Sequence, residues 1–335
     1  MKLKRHEENP IVAPGGYSWR RVATFNPGVV LDEDGVFWML ERACSNLAPL
    51  HSHFGLLRSD DGMHFEHVSD EPVFTAAQLG TPRGTVEDAR VVRIDGTYYM
   101  TYVHRNYVSS CYPNGVGIPL YSDPSDVPDE DLNNYRSGVA KSADLQNWED
   151  LGLVTGEALD DRDCVLFPEK IDGRFAMLRR PMNFVGPEFG CDGPSIWLSY
   201  SDDLLEWTTP ALVATPENAS WEGGKIGAGA TPMKTDDGWL IIYHGVDESV
   251  TYRSGVMLLD LDDPTKLVAR SPEFILEPEE YYERTGLIIP HVVFPSANVV
   301  KDDTVFIYYG CCDTCISLAT VPLGDLLDYV LQYRR

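Results

Sequence analysis

One short hairpin signal occurs five times along this sequence, and it limits the fold more than any other feature. In each copy an apolar strand leads into a tight turn of the Asp-Gly type, and an aromatic-rich strand follows. The turns are Asp34-Gly35, Asp95-Gly96, Asp172-Gly173, Asp237-Gly238 and Asp302-Asp303. Such a turn between apolar runs is a strong local signal for a β-hairpin. We therefore expect five similar antiparallel units.

A second turn signal follows three of these hairpins. The segments 59–65, 142–148 and 201–207 share a serine, an aspartate and an aromatic residue at fixed offsets. Each predicts a turn between a third and a fourth strand. Five four-stranded units predict an all-β fold, a five-bladed β-propeller. Although 335 residues would ordinarily suggest two domains, a closed propeller accommodates residues 1–335 as a single catalytic domain. Two stacked β-sandwiches are the alternative, but they would not require the same turn in every unit.

Two segments fall outside the repeated pattern. Residues 322–331 have an amphipathic pattern and predict a short C-terminal helix. Residues 106–137 are rich in Pro, Asn, Asp, Ser and Tyr, and they form a long insertion without periodicity. Long insertions in compact domains often act as lids or binding loops. We expect a lid or a subsite loop here, with a surface loop or a contact in a homo-oligomer as the alternatives.

The net charge of −25 opposes binding to nucleic acid or to an anionic membrane surface. An anion site would therefore need a local cluster of basic residues. Residues 1–8 lack the apolar segment of a secretory signal, and no run approaches the length of a membrane span, so we expect a cytoplasmic protein. The clustered Cys311, Cys312 and Cys315 lack a second Cys/His pair at zinc spacing. They predict apolar strand packing, and we expect no metal site.

The stretch Gly84–Arg90 is the first candidate for catalysis. Glu87, Asp88 and Arg90 follow a loop rich in Gly and Pro, and they lead directly into the apolar strand 91–94. Catalytic groups are often found on loops that a rigid scaffold positions. A turn with solvated charges is the alternative, and this stretch alone does not decide between the two.

In a propeller the inner strands bring their ends to a central funnel, so residues flanking each hairpin are expected to converge. The candidates from all five blades are Asn26, Arg42, Asp88, Arg90, Asp163, Glu169, Arg179, Arg180, Lys225, His244, Tyr252, Arg253 and Asp313. The set combines acids, cations and aromatic rings. Such a mixture suits a sugar, because hydroxyl groups need polar partners and sugar faces stack on aromatic rings.

Several longer blocks carry a family resemblance. They are 87–90 (EDAR), 167–174 (FPEKIDGR), 225–229 (KIGAG), 238–245 (GWLIIYHG), 258–264 (LLDLDDP) and 308–314 (YYGCCDT). In this order, and over nearly the whole chain, they closely resemble glycoside hydrolase family 130. That family contains β-mannoside phosphorylases and related β-mannosidases, and its fold is a five-bladed propeller.

The resemblance implies a role for most of the candidates. Asp88 matches the general acid, whose proton in this family is thought to pass through the mannose 3-hydroxyl to the glycosidic oxygen. The positions matched to sugar binding are Asn26, Arg42 and Asp313, and we add Arg90 and Asp163 to the substrate-binding set. The positions matched to inorganic phosphate are Arg180, Lys225, His244 and Tyr252. We therefore expect an inverting β-mannoside phosphorylase that uses phosphate as a co-substrate and needs no cofactor.

The residues leave two other functions open, a hydrolase and a glycan-binding protein. An inverting hydrolase needs a carboxylate base to position water, whereas a phosphorylase needs cations that hold the phosphate dianion. Glu169 lies where some phosphorylases have a basic residue, and Glu169 or Glu222 would be the base of a β-mannosidase. Ala89 and the segment 230–231 also depart from proline-containing family motifs. A glycan-binding propeller without catalysis is disfavoured, because binding alone requires neither Asp88 nor the cations.

Overall fold

Five antiparallel sheets form the part of the chain described by this computed structural model, which covers residues 1–46, 50–82, 84–106, 135–156, 159–217 and 220–335. Blade one contains β2 (Ala23–Leu31), β3 (Phe37–Cys44), β4 (Ser52–Ser59) and β5 (Glu66–His67). Blade two contains β6 (Thr85–Ile94), β7 (Thr97–Arg105), β8 (Arg136–Ser142) and β9 (Glu149–Leu153). Most of the predicted insertion at 106–137 lies outside the described residues.

Blade three contains β10 (Asp161–Leu166), β11 (Phe175–Pro181), β12 (Ile196–Ser201) and β13 (Ala211–Ala214). Blade four contains β14 (Lys225–Ala228), β15 (Met233–Thr235), β16 (Gly238–Val246), β17 (Tyr252–Leu259) and β18 (Leu267–Arg270), and its innermost position is divided between β14 and β15. Blade five contains β19 (Val293–Lys301), β20 (Thr304–Cys311), β21 (Cys315–Pro322) and β1 (Lys4–Arg5). The predicted five-bladed β-propeller is confirmed.

The outer strand of blade five comes from the opposite end of the chain. Lys4 of β1 pairs with Thr320 of β21, and the pairing is antiparallel. Arg5 extends this contact, because its Nε donates a 2.8 Å hydrogen bond to the buried Glu283. The N-terminal strand therefore completes the last blade, which joins the two ends of the ring.

Neighbouring blades share apolar layers that hold the ring together. Leu40 of blade one, for example, lies in one cluster with Val91 and Met100 of blade two. Equivalent clusters join blades two and three, three and four, four and five, and five and one. Cys311 and Cys315 belong to the cluster between blades four and five, as their predicted apolar packing requires. Burial of apolar surface between sheets is the main stabilising contribution in such a fold.

Helix is scarce in the described residues, and the C-terminal helix is confirmed as α2 (Leu323–Leu331), which buries Leu326 and Val330. A single-turn helix, α1 (Tyr281–Arg284), precedes blade five. Two short 3-10 turns span Ser18–Arg20 and Ala76–Leu79. None of the helices in the described ranges is long and apolar enough to cross a bilayer.

Three of the predicted turns, at 95–96, 172–173 and 302–303, have positive φ at both residues. The loop of blade one is longer, since Leu31 pairs with Phe37, and the turn of blade four consists of residues 236–237 instead of Asp237-Gly238, since Thr235 pairs with Gly238. Asp95 and Gly96 both have positive φ, at 50° and 82°, which is the geometry of a tight hairpin turn whose twist matches the flanking strands. In blade three the same type of turn lies between Ile171 and Arg174, but β10 already ends at Leu166. The turn Asp172-Gly173 is thus part of a small hairpin within the connection between β10 and β11.

The Ser-Asp turns form one repeated structure. Asp61 Oδ1 accepts hydrogen bonds from the amides of Met63 and His64, and Ser59 bonds the same carboxylate. Asp144 and Asp203 accept the same pattern of bonds in blades two and three. Each turn lies between the third and fourth strands of its blade, as predicted.

Candidate active site

Three of the candidate polar residues occupy the same position in successive blades. Asn26, Asp88 and Asp163 lie near the start of an innermost strand, where the pairing register shifts. All three have left-handed backbones, with φ of 44°, 54° and 52°. A bulge of this kind turns a side chain away from the regular alternation of a strand. It directs the three side chains into one central cavity.

The second strand of each of the first four blades contributes a residue to the opposite wall of the cavity, because side chains alternate between the two faces of a strand. In blade four the two turn residues are 236–237, because Thr235 pairs with Gly238. The sixth residue after each hairpin turn makes a buried polar contact, as Arg179 does with Asp161 and Tyr243 does with Glu222. The seventh residue faces the other way, because side chains alternate along a strand. In blades one to four these seventh residues are Arg42, Val103, Arg180 and His244, and all of them line the cavity.

The cavity has a volume of about 200 Å³, and it lies where the innermost strands begin and the second strands end. Nine predicted site residues line it: Asn26, Arg42, Asp88, Asp163, Arg180, Lys225, His244, Tyr252 and Asp313. It also includes residues that the sequence analysis did not assign to the site: Val103, Tyr135, Arg162, Ile289, Val292 and Phe294. Glu87, which precedes Asp88 in the candidate stretch Gly84–Arg90, lines it as well.

Asp88 lies in the acidic half of the cavity and is held by two donors. Its Oδ1 accepts a 2.9 Å hydrogen bond from Asn26 Nδ2 and a 2.8 Å bond from Arg42 Nη1. The other terminal nitrogen of Arg42 lies 3.2 Å from Glu87 Oε2. Burial alone would lower the pKa of Arg42, but Glu87, Asp88 and Asp313 together raise it. Arg42 is therefore a permanent cation between three carboxylates.

Asp313 completes this acidic half from the turn between β20 and β21. Cys312 and Asp313 have φ of 49° and 50°, so the turn presents the aspartate side chain at the end of the hairpin. Burial raises the pKa of Asp313 to about 6, and the negative charges of Asp88 and Glu87 act in the same direction against the opposing effect of Arg42. Asp313 is thus the carboxyl group here that is protonated over part of the mildly acidic range.

The other half of the cavity is basic and is organised around Asp163. Arg180 Nε donates a 2.6 Å hydrogen bond to Asp163 Oδ2, and His244 Nε2 lies 3.5 Å from the same oxygen. Arg90 Nη2 lies 3.7 Å from Oδ1. Burial would raise the pKa of Asp163, but Arg180, His244 and Arg90 hold it well below its ordinary value. Asp163 is therefore an ionised carboxylate among cations.

Burial and the neighbouring cations lower the pKa values of Lys225 and His244. Burial, reinforced by Arg180, lowers the pKa of Lys225 to about 8. Burial likewise lowers the pKa of His244 to about 3, so its ring is neutral at physiological pH. Both ring nitrogens of His244 are buried without a hydrogen-bond partner. The Lys225 ammonium also lies 5.2 Å from the centre of the Tyr252 ring.

Arg162 adds a cation that the sequence analysis missed. It belongs to the charged run 160–163 (DDRD), where Asp161 faces the blade interior and bonds Arg179. Its guanidinium makes two hydrogen bonds to Asp160, of 2.7 and 2.6 Å, and lies 3.5 Å from the centre of the Tyr135 ring. Two neighbouring residues of this run, Arg162 and Asp163, both line the cavity, because a bulge in β10 interrupts the alternation of side chains. That bulge is not evident from the sequence.

Arg90 lies behind the cavity wall, fully buried, although it was predicted to bind substrate. Its Nε donates a 2.6 Å hydrogen bond to the carbonyl of Gly229, and its Nη1 donates to the carbonyl of Asp88. Its guanidinium also lies 5.3 Å from the centre of the Phe294 ring. These contacts connect the acidic half with blade four.

Four other candidates lie outside the cavity. Glu169 is half exposed and pairs with Lys234 at the far end of blades three and four. Glu222 is buried, 2.7 Å from Arg270 and bonded by Tyr243. Arg179 is bonded to Asp161, and Arg253 to Asp247. The structure thus does not bring either glutamate to the place where a nucleophilic water would need its base.

The cavity therefore has two chemically distinct halves. One half presents carboxyl groups held by amide and guanidinium donors, which suits a proton donor and the hydroxyl groups of a sugar. The other half presents Arg162, Arg180 and Lys225, which suits a small oxyanion. A site with both halves can carry out displacement at a sugar carbon by an anion.

Comparisons with known proteins agree on the relationship. The model of the glycoside hydrolase 130 family, described as beta-1,4-mannooligosaccharide phosphorylase, matches residues 2–115 and 129–332. A 1,2-beta-oligomannan phosphorylase from Thermoanaerobacter sp. (strain X514) is 38% identical over 97% of this chain and 99% of its own. A beta-1,4-mannooligosaccharide phosphorylase from Ruminococcus albus is 33% identical over 98% of this chain and 91% of its own. The structure of a beta-1,2-mannobiose phosphorylase from Listeria innocua in complex with beta-1,2-mannobiose superposes with a TM-score of 0.77 at 24% identity, covering 98% of this chain and 99% of that one.

Proposed function

The chain belongs to glycoside hydrolase family 130, and on that premise we propose that it is an inverting β-mannoside phosphorylase. The reaction breaks the bond between the mannosyl carbon and the leaving oxygen, and it forms a bond from the same carbon to an oxygen of phosphate. The products are α-mannose 1-phosphate and the released sugar. Inorganic phosphate is the co-substrate, and the proposal requires no further cofactor.

The basic half of the cavity is the observation that carries this proposal. Arg162, Arg180 and Lys225 line it in a chain whose net charge is −25. Within the described lining, the carboxylate on this side is Asp163, whose pKa the surrounding cations hold well below its ordinary value, so it is too weak a base to take a proton from water. A hydrolase would need a carboxylate free to take a proton from water. A bound phosphate needs no such base, because its oxygen is already a nucleophile.

In the proposed mechanism Asp88 is the general acid. Its Oδ1 is held by Asn26 and Arg42, so Oδ2 is the oxygen that presents the proton. That proton passes through the mannose 3-hydroxyl to the leaving oxygen, as the family resemblance implies. A substrate that lacks the 3-hydroxyl should therefore be cleaved far more slowly than its parent, even where it still binds.

The mannosyl unit would bind in the acidic half. Asn26, Arg42 and Asp313 surround the position of Asp88 and offer both donors and acceptors to hydroxyl groups. Phosphate would bind opposite, to Arg180, Lys225, His244 and Tyr252, and Arg162 extends this set. The acid and the attacking anion then lie on opposite faces of the sugar, which is the arrangement that inversion requires.

The names of the relatives suggest which linkages to test first. The relative at 38% identity is named for β-1,2-linked oligomannan, and the one at 33% for β-1,4-linked mannooligosaccharides. We propose a β-1,2-linked mannoside as the natural substrate class, on the basis of the higher identity. Parallel assays with β-1,2- and β-1,4-mannobiose would decide, and faster cleavage of the β-1,4 substrate would overturn this assignment.

The decisive experiment compares these substrates with and without phosphate. Mannose 1-phosphate, identified by phosphorus NMR, should accumulate only when phosphate is present, and proton NMR should show its α anomer. Release of free mannose at the same rate without phosphate would instead favour the β-mannosidase. Absence of turnover on any β-mannoside would favour a glycan-binding propeller.

The proposal extends to the compartment and the assembly. A phosphorylated sugar carries charge and does not cross membranes freely, so a cytoplasmic enzyme would retain its product. Fractionation of cells that express the intact protein tests this location. Light scattering of the purified protein tests for a homo-oligomer.

A further inference from the structure

We propose that Asp163 selects the attacking anion by accepting a hydrogen bond from a protonated phosphate oxygen. The site would then bind phosphate or arsenate, which carry a proton at neutral pH, and would discriminate against sulfate, which carries none. The inference rests on the proposed function, in which the basic half holds the nucleophilic anion. It assigns the specificity of that half to the acidic residue of its described lining rather than to its cations.

The position of Asp163 is the first argument. Its side chain lines the same cavity as Arg162, Arg180, Lys225 and His244. A bulge and a left-handed φ of 52° are needed to place it there. The facing residue is Gly227, and a Cβ atom at that position would lie 2.2 Å from Asp163 Oδ2. The backbone of both strands is therefore adapted to a carboxylate that an anion site would not otherwise need.

The second argument concerns the two oxygens of Asp163. Oδ2 accepts the 2.6 Å bond from Arg180, whereas Arg90 Nη2 lies 3.7 Å from Oδ1. That distance is too long for a hydrogen bond. Asp163 is ionised because the surrounding cations lower its pKa, and an ionised carboxylate can only accept hydrogen bonds. Oδ1 thus keeps capacity to accept a proton from a ligand.

The charge balance points the same way. Arg162 already donates two hydrogen bonds to Asp160, from Nε and Nη2, and Arg180 is bonded to Asp163. His244 is buried with neither ring nitrogen bonded, and burial keeps it neutral. The basic half is therefore less positive than its number of cations suggests. An anion that carries a proton can donate a hydrogen bond to Asp163. A fully ionised anion has no proton to donate, and its negative charge is repelled by that of Asp163.

A purely orienting role for Asp163 makes a different prediction. If Asp163 served only to hold Arg180 in place, its replacement would weaken all oxyanions by a similar factor. If Asp163 instead accepts a hydrogen bond from the proton of the ligand, its replacement by asparagine changes the ratio of the sulfate affinity to the phosphate affinity, because an amide can donate a hydrogen bond to sulfate. The ratio of the two affinities therefore separates selection from positioning.

The test measures anion affinity on the whole protein by isothermal titration calorimetry with phosphate, arsenate and sulfate. This measurement needs no turnover, so it stands apart from the phosphorolysis assay. We expect the wild type to bind sulfate at least tenfold more weakly than phosphate, with arsenate close to phosphate. In Asp163→Asn the ratio of sulfate to phosphate affinity should rise by about tenfold or more. Asp160→Asn is the matched control, because it removes a carboxylate that bonds Arg162 without lining the cavity.

Each result decides between the readings. Equal affinity of the wild type for sulfate and phosphate, or an unchanged ratio in Asp163→Asn, would overturn the inference. The same change of ratio in Asp160→Asn would also overturn it, since any lost negative charge would then be sufficient. If Asp163→Asn does not fold, the wild-type ratio of the three anions still decides. Selection of phosphate without any mannose 1-phosphate formation would uphold the inference and reject the proposed function.

Discussion

The guanidinium of Arg90 donates a 2.9 Å hydrogen bond from Nη1 to the backbone carbonyl of Asp88, two residues earlier in the same strand. This bond spans the bulge that gives Asp88 its positive φ. Arg90 also bonds the carbonyl of Gly229 in blade four. It therefore holds the backbone from which the proposed general acid projects, and we expect it to affect the reaction through position rather than contact.

Replacement of Arg90 by lysine should reduce kcat while changing the KM for phosphate much less. Lysine keeps the charge near Asp163, but it cannot reach both carbonyls with a planar fork. A misplaced acid is expected to reduce kcat by about 10- to 100-fold, which is less than the loss expected when a general acid is removed altogether. Steady-state kinetics measure the split. Arg93→Lys is the matched control on the same strand, since Arg93 pairs with Glu33 near the surface; a larger rise in KM than fall in kcat for Arg90→Lys would contradict a positioning role.

Asp88→Asn should abolish most cleavage and leave the fold intact. The asparagine keeps the shape and can still contact Asn26 and Arg42, but it cannot donate a proton as an acid. We expect a loss in kcat of about 10² to 10⁴ for a β-mannoside with a sugar leaving group. The loss should be much smaller for β-mannosyl fluoride, whose leaving group needs no proton.

Glu87→Gln provides the contrast for the Asp88 variant. Glu87 contacts Arg42 at 3.2 Å but does not hold the position of Asp88 directly. We expect this variant to lose less than tenfold in kcat. Near wild-type activity of Asp88→Asn together with a severe loss in Glu87→Gln would show that the other carboxylate is the acid.

The affinity for phosphate should fall as the pH rises through about 8. Burial lowers the pKa of Lys225 to about 8, so the ammonium is charged below that pH and loses its charge above it. The KM for phosphate should therefore rise between pH 7 and 9, approaching tenfold per pH unit at the upper end. Lys225→Arg keeps its charge across this range and should flatten the profile; an equally steep rise in that variant would assign the effect to another group.

Gly227→Ala should weaken phosphate binding without unfolding the protein. A Cβ atom there would lie 2.2 Å from Asp163 Oδ2 and 2.5 Å from His244 Cε1, so the two side chains must move. Overpacking of this kind costs about 1–3 kcal/mol, and we expect at least a tenfold rise in the KM for phosphate. Gly324→Ala is the control, since its Cβ atom would meet no atom within 4 Å. Equal phosphate kinetics in both variants would contradict the close packing at Gly227.

Asp313→Asn should stabilise the folded protein at neutral pH while weakening substrate binding. Burial raises the pKa of Asp313 from 3.8 to about 6, so the folded state favours the protonated form. The resulting loss of stability is absent below pH 4, develops between pH 4 and 6, and amounts to about 3 kcal/mol above pH 6. Denaturant unfolding at pH 4 and pH 7.5 measures it. A variant less stable than the wild type at pH 7.5 would mean that the charge of Asp313 is needed to balance Arg42.

Much of the fold and the site could be predicted from local sequence. The Asp-Gly turns and the Ser-Asp turns depend on residues that are close in the chain, such as Asp61 with the amides of Met63 and His64. Local hydrogen bonds and φ preferences are properties of the residues themselves. Their repetition determines the number of blades, and the family motifs identify most cavity residues. The short β1 strand could not be assigned, because two residues carry no periodic pattern.

Only the tertiary structure separates the charged residues that face the cavity from those that do not. Arg179 and Arg180 are adjacent in sequence, yet one bonds Asp161 inside blade three and the other lines the cavity. Glu222 and Asp313 are both acidic, but Asp313 lines the cavity, whereas Glu222 is buried and paired with Arg270 away from it. A bulge shifts the alternation of a strand by one residue, and a salt bridge depends on residues far apart in the chain. The sequence thus determined the architecture and the class of chemistry, whereas long-range packing decided which charges line the cavity.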